Sequence, residues 1–250
     1  MIYYLKQRVA IRCNTDRKKT LSEHIDYHPY IIYRCVIGSR AYGLEHESSD
    51  TDRRGIYLPP ADLQWSFKGV PEQLENNTTQ ETYWEMEKFL LLALKANPTV
   101  LECLYTPLVE THTPLIDEML AMREAFLSKI AFHKFNGYAR EQFKKLEIDV
   151  RQRGTPRWKH AMHMIRILLA GITLLQEGYL PIIVTEHRDQ LLAISGGEMP
   201  WREVDAWRVD LHRQFEKAFA QSKLPENPDF DRVTAFLVKA RRSMVDKMEV

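Results

Sequence analysis

Two carboxylates, Asp50 and Asp52, stand two residues apart, and a glycine-serine pair, Gly38-Ser39, precedes the first of them by 12 residues. Side chains i and i+2 of an extended strand share a face, so both carboxylates project the same way. Acidic oxygens that close repel one another, and the arrangement is costly unless a cation neutralises it. Mg²⁺ suits the role: a hard cation that prefers oxygen and often takes only one or two carboxylates together with substrate phosphates. The Gly-Ser turn offers the complementary half, backbone N–H groups and a hydroxyl at a helix N-terminus, which favour an anionic phosphate. The chemistry implied is phosphate chemistry on a metal.

Two strands must hold these groups. Ile31, Ile32, Tyr33, Val36 and Ile37 are mostly β-branched or aromatic and read as a buried strand that ends in the Gly-Ser turn and a short helix. The Ser48-Ser49 pair reads as the turn feeding a second strand from Thr51 to Leu58, whose apolar end is Ile56, Tyr57 and Leu58.

Gly38-Ser39-Arg40-Ala41-Tyr42-Gly43 followed by Ser49-Asp50-Thr51-Asp52 and Arg54-Gly55-Ile56-Tyr57 resembles the signature of the DNA polymerase β-type nucleotidyltransferase superfamily. In particular it is similar to the predicted nucleotidyltransferases whose genes often lie beside RNA ligases. Two later stretches fit that group: Lys88-Phe89 leading to Ala96-Asn97-Pro98-Thr99-Val100-Leu101-Glu102-Cys103-Leu104, and Lys159 through His163 to Arg166. The resemblance implies an α/β (α+β) nucleotidyltransferase domain with a mixed sheet over residues 1–107. An all-helical domain over 108–250 follows, with the cleft between them. It implies transfer of a nucleoside monophosphate from an NTP to an acceptor hydroxyl with Mg²⁺, or Mn²⁺, held by Asp50 and Asp52. A third carboxylate is expected from a neighbouring strand, and Glu81 stands where the related proteins tend to place an Asp. Either Glu81 completes the metal site with a longer reach or the third acid is absent. Gly38, Ser39, Arg54, Lys159, His163 and Arg166 are the expected nucleotide contacts. The acceptor is RNA or a protein side chain, and a degenerate nucleotide- or RNA-binding protein is the non-enzymatic alternative.

The rest of the chain is consistent with that frame. At 250 residues, 44% hydrophobic and 28% charged, it has the composition of a globular protein long enough to bury a core. Its longest apolar runs, Phe89 to Leu94 and Ile165 to Leu175, are too short or too polar-flanked for a membrane span. The start, Met1 to Arg8, lacks the apolar core and cleavage site of a signal peptide. Cys13, Cys35 and Cys103 lack metal-ligand spacing and read as small buried thiols, which points to a reducing cytoplasm. A net charge of +1 argues against holding nucleic acid mainly by bulk electrostatics. Yet between Arg140 and Arg166, Arg140, Lys144, Lys145, Arg151, Arg153, Arg157, Lys159 and Arg166 outnumber Glu141, Glu147 and Asp149. Lys159, His163 and Arg166 share one helix face. This reads as a triphosphate or RNA-backbone clamp, or as a solvated helix face.

Expected helices begin at the capping box Thr20-Leu21-Ser22-Glu23, after the basic cluster Arg17-Lys18-Lys19. Others run from Glu85 to Leu94, from Thr99, from Leu115 to Leu127, and from Ala131 to Ile148. A further helix has Thr155 as N-cap and Pro156 at its first position, and stops at Gly178. Trp201 to Ala220 and Asp231 to Met248 close the series. Glu102, in the first turn of its helix, is a dipole partner or a group aimed at the site.

Overall fold

In the computed structural model, which describes residues 25–245, β-branched and aromatic residues build the strand β1 (Ile31–Ile37) at the heart of a five-stranded sheet. Gly38 then turns the chain with φ +77°, a single helical turn α1 (Ser39–Tyr42) follows, and Gly43 closes it in the left-handed region. After a loop, β2 (Asp52–Tyr57) returns antiparallel to β1, with Ile37 opposite Asp52. A short helix α2 (Ala61–Trp65) leads to the hairpin β3 (Gln73–Asn76) and β4 (Glu81–Glu85). Strand β4 lies parallel to β2, and the order across the sheet is β3-β4-β2-β1-β5. The sheet is therefore mixed, as expected.

The helices α3 (Met86–Leu94) and α4 (Pro98–Tyr105) pack one face of the sheet. Asn97, rather than Thr99, caps α4, its side chain accepting from the Val100 amide, and Pro98 takes the first helical position, where its missing N–H costs nothing. The edge strand β5 (Val109–Thr111) pairs with β1. The sheet thus continues past residue 107, where a purely helical region was expected to begin.

Beyond β5 the chain is helical: α5 (Pro114–Ala121), α6 (Ile130–Arg153), α7 (Trp158–Glu177), α8 (Arg188–Gly196), α9 (Trp201–Gln221) and α10 (Phe230–Arg242). The periodic stretch expected to run to Leu127 is broken after α5 into a separate 3₁₀ turn, Arg123–Phe126. Helix α7 starts at Trp158 with Arg157 at the N-cap, not at Pro156. The reason lies in tertiary contacts: Pro156 is buried and Arg157 Nε pairs with the buried Asp149 carboxylate at 3.3 Å, which holds the connection extended. The capping-box helix at Thr20 to Glu23, the cluster Arg17-Lys18-Lys19 and Cys13 lie outside the described residues.

Helix α7 is apolar around most of its circumference, burying Ala161, Met162, Met164, Ile165, Leu168, Ile172 and Leu175 among others. A helix of that pattern belongs inside a bundle, and α6, α8 and α9 surround it. One continuous core joins it to the sheet, running from Tyr33 and Ile56 through Phe89 and Leu101 to Leu168 and Phe215. Helix α10 returns to α3, where Arg241 Nη1 reaches the buried Glu85 carboxylate at 2.6 Å. No helix among the described residues is long and apolar enough to cross a membrane.

The pairing of β1 with β2 leaves no room for a side chain at Gly55. A Cβ there would lie 1.9 Å from the Tyr33 carbonyl oxygen, a backbone atom that cannot rotate away. Gly55→Ala is expected to destabilise the protein by roughly 3 kcal/mol, read as a lowered urea midpoint with unchanged m-value; an unchanged midpoint would show that β1 and β2 are less closely tied.

Candidate active site

The turn at Gly38 places the first carboxylate. A Cβ on Gly38 would lie 2.4 Å from Asp52 Oδ2, so only glycine lets the Asp52 carboxylate rest against the turn. The positive φ of Gly38 makes the same demand from the backbone. Within the turn the Tyr42 amide donates to the Gly38 carbonyl and the Leu44 amide to that of Ser39. The leading amides of such a turn have no acceptor within it and are available to an anion. Ser39 is half-buried and Arg40 exposed. Arg40 Nη2 donates to the Ser49 carbonyl at 2.7 Å, which ties α1 to the segment leading into Asp50.

Asp50 is exposed just before β2, and Asp52 opens the strand. Arg54, two residues on and hence on the Asp52 face, approaches the Asp52 carboxylate at 3.5 Å. Its Nη1 donates to the carbonyls of Arg53 and Gln80 at 2.7 and 2.8 Å. Arg54 therefore sits at Asp52, with its guanidinium already engaged by protein acceptors.

The expectation for Glu81 is corrected by the register. Glu81 lies directly beside Arg53 in the parallel ladder, and lateral partners share a sheet face. Arg53 and Asp52, being adjacent in one strand, point to opposite faces. Glu81 accordingly stands with Arg53 and Tyr83 on the far side of the sheet from Asp52. There Glu110 foremost, and Glu81 after it, raise the Arg53 pKa. Burial, with Glu81 adding to it, pushes the Tyr83 phenol up to about 12. Gln80 lies in the turn before β4 with φ +55°, its carbonyl accepting from the Arg53 amide at 3.1 Å and its Nε2 donating to the Asn77 carbonyl at 2.9 Å. Among the described residues no group of three or more His, Cys, Asp or Glu side chains could hold a metal ion. Asp52 lies at the turn and Asp50 is exposed two residues before it, so the donors offered are carboxylate oxygens. They fit a hard divalent cation whose remaining positions come from substrate phosphates and water.

The expected cationic face of α7 divides. Arg166 is buried, donates from Nη2 to Glu102 Oε1 at 2.8 Å, and lies 3.7 Å over the Tyr42 ring. Tyr42 Oη donates to Glu102 Oε2 at 2.6 Å. Burial alone disfavours the Arg166 charge, but Glu102 and Tyr42 more than offset it and its pKa rises. Burial, with Glu102 adding to it against the opposing Arg166, holds the Tyr42 pKa well above the ordinary value. His163 meets the Tyr42 ring edge-on at 6.3 Å, and burial followed by Arg166 and Lys159 pushes its pKa down to about 3. Only Lys159, one turn earlier on the same face, is exposed. Arg166 and His163 are thus packed against the back of the turn, while Lys159 alone of the three is free to reach a phosphate in solvent. Glu102, left open between two roles by the sequence, is the carboxylate that joins α1 to α7. Tyr42, within the quoted motif, is the residue to which sequence reasoning gave no role; its spacing three residues after Ser39, at the end of the turn, is the signal that could have marked it.

Over residues 14–239 the chain matches the model of a family described as the RNA repair pathway DNA polymerase beta family. It is also similar to the "Uncharacterized protein YcgL" of Bacillus subtilis (strain 168), with 28% identity over 182 residues. That similarity covers 71% of this chain and 66% of the relative's length.

The buried triad makes two predictions. Glu102→Gln leaves the Arg166 charge buried without its counter-charge and is expected to cost about 3 kcal/mol or more. Tyr42→Phe removes one hydrogen bond and costs about 1 kcal/mol; urea unfolding that ranked the two in the opposite order would contradict the arrangement. His163, with a folded-state pKa of about 3 against an ordinary 6.5, binds its proton more readily in the unfolded chain. Its contribution to stability is complete above pH 6.5 and is lost as the pH falls from 6.5 toward 3. Unfolding measured across that range should show His163→Phe less pH-dependent than wild type by roughly 3 kcal/mol between pH 6.5 and 4. Parallel curves for the two proteins would exclude His163 as the source.

Proposed function

The chain belongs to the RNA repair pathway DNA polymerase beta family, and we propose that it transfers a nucleoside monophosphate from an NTP to an acceptor hydroxyl on RNA, releasing pyrophosphate. The observation that carries this reading is the Asp52 carboxylate resting against the Gly38 turn, a closeness that no other residue at position 38 would allow. It sets an acidic, metal-suited group beside a phosphate-suited one, which is the pairing that phosphoryl transfer needs.

In this scheme Asp50 and Asp52 hold Mg²⁺ or Mn²⁺. When bound, the cation neutralises phosphate charge and stabilises both the attacking and the leaving oxygen. The amides and hydroxyl of Gly38 and Ser39 receive the β and γ phosphates, and Lys159 adds a mobile point charge for pyrophosphate. Arg54 acts chiefly by orienting Asp52, and Arg40 by fixing the segment that carries Asp50. The acceptor oxygen forms its bond to the α-phosphorus as the bond from that phosphorus to the bridging β-oxygen breaks. The hydroxyl proton leaves to one of the two carboxylates or to water, because Glu81 stands on the other face. The two free, buried thiols of Cys35 and Cys103 suit a reducing cytoplasm.

A second reading has its own support. With Glu81 on the Arg53 face the site is one acid short, and such a site could bind a metal-nucleotide without turning it over. Both readings meet in one experiment. With an NTP labelled at its α-phosphate, Mg²⁺ and a pool of RNA, wild type is expected to release pyrophosphate and label the RNA. Asp50→Ala with Asp52→Ala should abolish transfer while leaving the circular dichroism spectrum intact, and full activity in that variant would overturn the assignment. Metal-dependent NTP binding by calorimetry, with no pyrophosphate released, would select the second reading.

A further inference from the structure

Helices α6 and α9 lie side by side, clasped where Phe132 stacks on Phe219 with ring centroids 4.3 Å apart and meets Phe215 at 4.8 Å. Farther along they part, leaving a groove of about 560 Å³. Its walls carry cations from both helices. Arg140 and Lys144 sit one turn apart on α6, both exposed, and neither forms an ion pair with a carboxylate among the described residues. Arg208 and Arg213 face them from α9. Glu147 and Glu216 line the groove as well, and Arg208 and Arg213 are ion-paired with Asp205 at 2.8 Å and Asp210 at 3.9 Å, so the groove cations without a carboxylate partner among the described residues are Arg140 and Lys144.

Two further features suit a nucleic-acid strand rather than a bare anion. Arg208 lies 3.9 Å over the Phe143 ring while bonded to Asp205, a fixed, planar cation of the kind on which unpaired bases stack. Asn136 Oδ1, in the same groove, is buried without a hydrogen-bond partner, an acceptor free for a base or sugar donor. From the groove Arg151 continues the Arg140 face toward the end of α6, and beyond the link over 154–157 Lys159 stands in the first turn of α7, on the face that packs against Tyr42 of α1.

We infer that the α6–α9 groove binds the phosphodiester backbone of a single-stranded RNA and leads its end along α6 toward Lys159 and the carboxylate pair. The inference rests on the nucleotidyltransferase reading for the direction of the strand, but the groove's affinity can be measured without any turnover.

The experiment is fluorescence anisotropy of a short end-labelled single-stranded RNA on the full chain, titrated at several salt concentrations. Arg140→Glu with Lys144→Glu is expected to weaken binding at least tenfold and to flatten the salt dependence by about 1.4 logarithmic units, since each single-strand phosphate contact contributes about 0.7. Lys68→Glu with Lys95→Glu, two exposed cations of the sheet region, changes net charge equally and should leave affinity nearly unchanged. Failure of wild type to bind at low salt, or equal losses in the two pairs, overturns the groove. Asp50→Ala with Asp52→Ala keeps full RNA affinity if the groove acts as inferred. A protein that binds RNA through the groove yet transfers nothing sinks the transferase reading and spares the groove. Transfer to RNA at wild-type KM in the groove variant does the reverse.

Discussion

A single buried charge organises this protein. Arg166 reaches the core only because Glu102 supplies its counter-charge and Tyr42 its aromatic face. A guanidinium without such partners would cost several kcal/mol to bury. The three residues come from three elements: Tyr42 ends the α1 turn, Glu102 lies in α4 and Arg166 in α7. Burying a complete ion pair adds little net stability over an apolar substitute of the same shape. What it supplies is geometry, since none of the three can move without leaving another unpaired. The turn at Gly38 and Ser39 is thereby fixed to the helical bundle as well as to the sheet.

The second constraint is the direction of β4. Because it runs parallel to β2, each residue of one strand shares a face with its lateral partner in the other. Glu81 follows Arg53 to the outer face. A one-residue shift in the ladder would turn it to the Asp52 face. An acidic residue is thus present in the sequence at nearly the right place, yet the pleat turns it away. Asp52 is faced instead by Arg54, which is held in turn by the carbonyl of Gln80.

Charge is distributed to match. The chain is almost neutral as a whole at +1, so long-range attraction for nucleic acid is weak. Among the described residues some cations are held in fixed pairs, as with Arg166, Arg241 and Arg157, while Arg140, Lys144 and Lys159 are exposed on α6 and at the start of α7. A near-neutral chain gives no general positive field, so any hold on phosphate would have to come from placed groups.

Much of this was legible in the residues. The β-branched run into Gly38-Ser39 and the Asp50, Asp52 spacing specified two strands, a tight turn and the class of chemistry. Those features are local: strand propensity, glycine's access to positive φ, and the alternation of side chains along one strand. The apolar periodicity of α7 likewise marked a bundle core. The sequence could not determine which sheet face Glu81 would take, because that depends on pairing with a strand more than twenty residues away. Nor could it separate Arg166 from Lys159, which share one helix face and differ only in what that face meets. Burial against Tyr42 and Glu102, brought from α1 and α4, made Arg166 a structural cation and left Lys159 in solvent. The types of group available are a property of the chain; their partners are set by long-range packing, and in a low-dielectric core the partner decides what a charged group can do.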